Sequence, residues 1–451
     1  VSGPRVAVVG AGISGLVAAY RLRQGLGPDA VITIVDDGPH VGGKLRTVDL
    51  GGGPIDVGAE AFIARRPEVP ALLAELGLTD QIVYPAGLRP LIWSAGAAHP
   101  LPTGTLMGIP ATAESVNGLV DGAALARIAA ERSVPFRWTP GSDCSVAELV
   151  SERFGEQVVA RSVDPLLGGV YSGLAETIGV RAALPTLAAA LDAGAASLSA
   201  AVGAAMPTPA PGPVFGALRD GYGVLLDALW RASAATLVRA TASGLRAEGS
   251  RWYLDPVGAV DAVVLAVPAP YVGQILADVA PRAAQVVSRI DLASSAVVAL
   301  RLPVDVELPP NSGILVATDA DLTAKAFTLS SRKWTHLAER GEHLVRVSFG
   351  RFGAAEVVDL SDEALIDLAR RDLATVTGVG REPTATFVQR WHGGLPQYGP
   401  GHGERVAAVQ AETAKLDGIE VAGSWLRGVG VPACVAVAGT AATRILGRMA
   451  R

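Results

Sequence analysis

Near the start of the chain, Gly10-Ala11-Gly12-Ile13-Ser14-Gly15 has the spacing G-x-G-x-x-G. It follows Arg5-Val6-Ala7-Val8-Val9, a run suited to a fully buried strand, and runs into Leu16–Leu22, where apolar residues recur at helical spacing. Such a loop can do one kind of chemistry well. Its bare backbone lets a diphosphate approach, and the helix that follows offers unpaired N–H groups and the positive end of its dipole. A second β-branched stretch, Val31–Val35, ends in Asp36, which lies 21 residues beyond Gly15 (36 − 15). A carboxylate accepts hydrogen bonds but cannot donate them, so Asp36 suits a ribose diol and repels a 2′-phosphate. These residues predict a βαβ unit that binds a dinucleotide.

The elements that must hold this loop are legible in outline. A chain of 451 residues allows roughly three folded units. Half the residues are hydrophobic, and 38 Lys+Arg against 43 Asp+Glu give a net charge of −5, which argues against nucleic acid or an anionic membrane as partner. Cys144 and Cys434 form no pair motif, and the six histidines have no ligand spacing, so neither a disulfide framework nor a metal site is expected. No basic leader precedes the first strand, and prolines or Arg444 interrupt the most apolar stretches, so a cytoplasmic protein is expected.

Residues 111–206 read as helical, with Leu187, Leu191, Leu198 and Val202 forming one stripe of a helix. Pro207, Pro209, Pro211 and Pro213 mark an extended linker. Gly221–Leu226 opens another helix, and 237–239, 252–254 and 262–267 read as strands returning to the first sheet. Further strands are expected over 285–350, and 361–373 reads as an amphipathic helix capped by Ser361. A last strand at 420–423 leads to Gly428-Val429-Gly430-Val431-Pro432 and a closing helix. That turn reads either as an ordinary Gly-Pro corner or as bare backbone against a planar ring, with a helix N-terminus available for negative charge.

After Asp36 comes His40-Val41-Gly42-Gly43-Lys44-Leu45-Arg46-Thr47. It resembles the fingerprint E/D-x(3)-R-x-G-G-x(3)-S/T of flavoproteins of the amine oxidase and phytoene desaturase superfamily, with Asp36 in place of the usual Glu and His40 in place of Arg. Further blocks resemble the protoporphyrinogen/coproporphyrinogen III oxidase family. They are Val57-Gly58-Ala59-Glu60-Ala61-Phe62, His99-Pro100-Leu101-Pro102-Thr103-Gly104 with Met107-Gly108-Ile109-Pro110, and Asp164–Gly173. The carboxyl half adds Pro396-Gln397-Tyr398-Gly399-Pro400-Gly401-His402, preceded by Arg390-Trp391, and Gly428-Val429-Gly430-Val431-Pro432-Ala433-Cys434.

The resemblance implies an α/β fold: a Rossmann-like FAD-binding domain with an interleaved β-rich substrate domain and a helical subdomain. The expected FAD segments are 1–90, 207–268 and 403–451. Residues 91–110 and 269–402 are expected to form the substrate domain, and 111–206 the helical part. It further implies FAD held by Gly10, Ala11, Gly12, Ile13, Ser14, Gly15, Asp36, Asp37, Gly42, Gly43, Lys44, Val57, Gly58, Ala59, Glu60, Trp391, Val429, Gly430 and Val431, and by the backbone of Val238. Arg89, Arg66, Gly169, Val170 and Lys333 would meet the porphyrinogen, with Arg65 a further basic neighbour. Lys333, in Ser330-Ser331-Arg332-Lys333-Trp334-Thr335-His336, points to the branch that handles coproporphyrinogen III.

The implied activity is a six-electron aromatisation with oxygen as acceptor and hydrogen peroxide as product. Hydride passes to flavin N5, so no acid–base residue is expected. A ferrochelatase is a possible downstream partner. Three alternatives stay open: oxidation of protoporphyrinogen IX, another flavin enzyme of the amine oxidase or desaturase type, or a non-catalytic binding protein on the same scaffold.

Overall fold

The computed structural model describes residues 3–208 and 211–450; Pro209 of the expected linker lies outside them. Five parallel strands form a central sheet in the order Thr236–Val238, Val31–Val35, Arg5–Val9, Ala262–Leu265, Ile419–Val421. On one face Val6, Val8 and Val264 meet the first helix, Ile13–Leu26, and the closing helix, Val431–Met449. On the other, Ala7, Val9, Val263 and Leu265 meet Ala269–Leu276, Pro281–Val287 and His402–Thr413. Burial on both faces is why these strands read as continuous apolar runs.

Beyond residue 268, Ala269, Val272, Leu276, Ala283 and Val287 lie buried against the central sheet. One expectation needs correction here. Arg251–Asp255 does not return to that sheet. It is the middle strand of a separate antiparallel sheet with Ser243–Glu248 and Gly258–Val260. Only Leu254 of that strand is fully buried, whereas a central parallel strand must be covered on both sides.

A second sheet has seven strands, in the order Ala385–Pro396, Leu292–Leu302, His343–Phe349, Ala326–Thr328, Gly313–Val316, Leu91–Ser94, Ala97–Pro100. All neighbours are antiparallel except Gly313–Val316 and Leu91–Ser94. Helix Asp362–Thr377 covers one face with Leu365, Ala369 and Leu373. Ser361 caps it, accepting the Ala364 N–H at 3.3 Å.

The helical body has its own core, including Phe154, Leu167, Leu187 and Val202. The stripe from Leu187 to Val202 is carried by two helices, Pro185–Asp192 and Leu198–Ala205. Gly194 breaks the first in a left-handed turn (φ +85°), and Ser197 caps the second by accepting the Ala200 N–H at 3.1 Å. Among the described residues no helix is long and apolar enough to cross a membrane.

This body is locked by a buried ion pair. Glu131 accepts the Arg153 Nε–H at 3.0 Å, the Leu198 N–H at 2.8 Å and the Ser199 hydroxyl at 2.8 Å. Burial alone would push its carboxyl up, but these donors hold it below the usual carboxylate range. Its contribution is therefore complete above the unfolded value near ~4.3 and fades as pH falls through the lower folded value. Glu131→Ala would strand the Arg153 charge in the interior. We expect a loss of about 3–5 kcal/mol in urea unfolding, and a loss below ~1 kcal/mol would contradict the role given to this pair.

Candidate active site

The glycine loop leaves strand Arg5–Val9 and enters the first helix at Ile13. A Cβ on Gly15 would lie 1.9 Å from the Gly10 carbonyl oxygen, so the helix starts this close to the strand only with glycine there. Gly12 pairs with Gly42, and the Gly42 N–H donates to Ala11 O at 2.8 Å. The two glycine segments thus lie side by side as one surface of bare backbone. Asp36 stands over it, accepting the Ala11 N–H at 2.6 Å and the Gly38 N–H at 2.9 Å. Asp37 accepts the Thr241 hydroxyl at 2.7 Å. The Val238 carbonyl already accepts from Asp36 N–H and Ala240 N–H, both at 3.1 Å.

The closing helix begins at Val431 beside the first. The Ser14 hydroxyl lies 3.5 Å from the Cys434 carbonyl, so the N-termini of a 14-residue and a 19-residue helix meet at the glycine surface. Lys44 follows Gly43, with its ammonium close enough to feel the Cys434 thiol. Burial lowers its pKa, and among the described residues it has no carboxylate partner. Two positive helix ends and an uncompensated cation in one cleft call for an anion. A dinucleotide diphosphate, or the negative charge of a reduced flavin, meets that demand, so the residues present fit FAD.

The Val57–Glu60 segment forms the adjoining wall. Val57 N–H donates to Arg46 O at 2.9 Å, and a Cβ on Gly58 would lie 2.1 Å from the Lys44 carbonyl. Trp391, from the second sheet, lies along this segment, with Nε1 3.4 Å from Val57 O. Arg346, also from that sheet, donates to Gly58 O at 2.6 Å. Glu60 meets Lys333 Nζ at 2.8 Å and Arg346 Nη1 at 3.6 Å. Burial would raise the Glu60 carboxyl, but the two cations bring it down to about 2.

Lys333, which the sequence reading assigned to substrate, pairs with Glu60 within the protein. Arg66 likewise pairs with Glu68, in the first turn of helix Glu68–Glu75. Arg89 is exposed, on a segment tied to the Lys333 backbone through Ala86 N–H (2.8 Å) and to Ser312 through its own carbonyl (3.2 Å). Gly169 and Val170 are exposed in the last turn of helix Asp164–Tyr171. Ile63 and Phe215 are exposed cross-strand partners, and Tyr84 is exposed as well.

Several positioning groups escaped the sequence reading. The Tyr398 ring stacks on His402 at 4.0 Å, and its hydroxyl accepts the Gly428 N–H at 2.7 Å while donating to Ser424 O. One tyrosine thereby joins the Pro396–His402 block to the Gly428–Pro432 turn. Burial lowers the His402 pKa to about 4, so this histidine is a neutral spacer near neutral pH. Arg346 is a cation within an apolar strand, the one signal that marked it. Asp56 accepts the Tyr222 N–H at 3.0 and 3.2 Å and the Thr47 hydroxyl at 2.5 Å, and so serves as acceptor at the start of helix Gly223–Ser233.

Burial raises Asp56 to about 7. Because this exceeds the unfolded value of ~3.9, the folded protein binds the extra proton between them, and stability falls as pH rises through that window. Asp56→Asn is expected to flatten thermal stability between about pH 5 and 7; a variant with the parent's slope would contradict the assignment.

The family described as flavin containing amine oxidoreductase matches residues 13–446. "Coproporphyrinogen III oxidase" of Mycobacterium tuberculosis (strain ATCC 25618 / H37Rv) is 52% identical over 97% of this chain and 96% of its own. The protein of that name from Mycobacterium leprae (strain TN) is 53% identical, with 98% of both chains covered. A solved protein from Exiguobacterium sp. 255-15, provisionally named a protoporphyrinogen oxidase, covers 98% of each chain with a TM-score of 0.87 and 29% identity. Cyclohexylamine oxidase from Brevibacterium oxydans IH-35A shares the fold at a TM-score of 0.71 and 16% identity, over 100% of each chain. The chain belongs to the flavin containing amine oxidoreductase family and, within it, to the group of flavoenzymes that includes the coproporphyrinogen III oxidases.

Proposed function

We propose that this chain oxidises coproporphyrinogen III to coproporphyrin III in haem biosynthesis, with FAD as cofactor and oxygen as the acceptor that leaves as hydrogen peroxide. The observation that carries the reading is the 52–53% identity, along nearly the whole chain, to proteins named for that reaction. When bound, FAD supplies a hydride acceptor and is reoxidised by oxygen. The chain's own residues bind and orient. Gly10–Gly15 with Gly42 and Gly43 hold the diphosphate, Asp36 and Asp37 serve the ribose side, and Val238 lends backbone at the adenine end. Lys44 and the Val429–Val431 turn face the flavin, with Val57, Gly58, Ala59 and Trp391 along it. Glu60 acts at one remove, by holding Lys333 and Arg346.

For the substrate, the exposed Ile63–Phe215 pair and Tyr84 offer an apolar wall to a flat macrocycle. Arg89 supplies a cation for a peripheral carboxylate, and Arg66, which also pairs with Glu68, a second. The Gly169 carbonyl accepts pyrrole N–H, and Val170 packs on the ring. Positioning over a hydride acceptor is the main requirement, and no acid–base pair is assigned. The proposal includes a cytoplasmic site of action with a ferrochelatase downstream.

The direct test supplies each porphyrinogen to the purified protein in air while porphyrin fluorescence and peroxide are followed together. Coproporphyrinogen III should be consumed with both signals rising in step. Turnover of protoporphyrinogen IX alone would instead favour the name given to the Exiguobacterium protein. Arg89→Ala should raise KM about tenfold with little change in kcat, and unchanged kinetics would remove Arg89 from the site. Asp36→Ala loses charge-assisted hydrogen bonds of about 1.5–3 kcal/mol each. Its Kd for FAD, titrated by flavin fluorescence, should therefore rise at least tenfold; equal affinity would place the ribose elsewhere.

A further inference from the structure

A buried ammonium normally sits against a carboxylate, because water is lost and something must replace it. Lys325 breaks that pattern. It is 8% exposed and immediately precedes strand Ala326–Thr328 inside the second sheet. Its backbone is fixed there, with N–H donating to Ser348 O at 2.8 Å and carbonyl accepting the Val316 N–H at 3.0 Å. Its ammonium donates to the Gly350 carbonyl at 2.7 Å and to the Ser172 hydroxyl. No carboxylate pairs with it among the described residues. Its charged neighbour is another cation, Arg351, which faces Asp164; burial and this neighbour bring Lys325 down to about 7.

Ser172 is the other half of the contact. It is buried and left-handed (φ +48°, ψ 26°), a conformation that non-glycine residues keep only when their surroundings enforce it. It terminates the helix whose last turn exposes Gly169 and Val170. Its carbonyl accepts the Phe352 N–H at 2.7 Å, and the Tyr171 carbonyl accepts Gln397 Nε2 at 2.9 Å. The turn is thus tied to the second sheet on each side, and the Lys325 hydrogen bonds to Ser172 and Gly350 serve that tie. A long side chain with three rotatable donors can reach acceptors on two separate bodies at once.

We propose that Lys325 is a positioning residue for substrate: it latches Ser172 to Gly350 and so holds the Gly169–Val170 edge where the tetrapyrrole lies. This rests on the proposed function, which gives that edge its ligand. The test uses the holoenzyme and Lys325→Met, which keeps bulk and removes the donors. KM for coproporphyrinogen III should rise at least tenfold while kcat stays within twofold and the flavin absorption spectrum is unchanged. Binding of the product, coproporphyrin III, followed by quenching of tryptophan fluorescence, should weaken by a similar factor. Ser172→Ala removes only the acceptor and should shift KM the same way, and the double variant should be no worse than Lys325→Met. If Lys325→Met fails to fold, Ser172→Ala decides alone. Turnover with unchanged KM and product affinity, or a loss confined to kcat, overturns the latch alone. A parent protein that oxidises neither porphyrinogen overturns the functional reading and the latch with it.

Discussion

The contact between the first helix and the closing helix makes the cleft. They meet on one face of the central sheet through small residues, Ala18 and Ala19 on one side and Ala438, Ala441 and Ala442 on the other. Small side chains let the two backbones run close, and both begin at the same level. Two positive helix ends side by side repel each other, and the unpaired Lys44 adds to the strain. An anion bound between them relieves it. Cofactor binding should stabilise the fold as well as equip it for chemistry, because a ligand that binds only the native state shifts the folding equilibrium toward it.

Around this cleft, single polar side chains bind loops to scaffold across long sequence distances. Arg346 holds the Gly58 carbonyl, Asp56 holds the Tyr222 N–H, and Tyr398 holds the Gly428 N–H. Each bond starts from a strand, helix or stacked ring and ends on irregular backbone next to the cofactor surface. Loops that must stay bare for a ligand cannot be fixed by their own side chains. Their precision comes from donors and acceptors sent in from neighbouring elements, and burial strengthens those contacts.

How much of this was legible depended on range. The βαβ unit and its acid were readable because each signal is local: a glycine spacing, an apolar run, a carboxylate at a strand end. The Ser361 cap and the closing helix were readable for the same reason. The break at Gly194 was not, because the apolar stripe continues in register on both sides of it. The Arg251–Asp255 strand was misplaced because residue type does not say whether one face or both are covered. Lys333 shows the remaining limit. Its pairing with Glu60, 273 positions away, could not be read from the sequence, because no spacing rule connects the two. Lys325 and Ser172 met the same obstacle, being unremarkable in sequence and coupled only by the fold.

The strand order of the central sheet bears on how the molecule is made. Arg5–Val9 and Ala262–Leu265 are adjacent, and Ile419–Val421 completes the edge. During synthesis on the ribosome, strand Arg5–Val9 can pair with Val31–Val35 soon after both emerge, but its second neighbour, Ala262–Leu265, follows only about 250 residues later. The closing helix arrives later still. Such non-local pairing slows folding and leaves apolar strand edges uncovered in the nascent chain. The uncovered edge of Arg5–Val9 is therefore exposed to wrong pairing until Ala262–Leu265 arrives beside it.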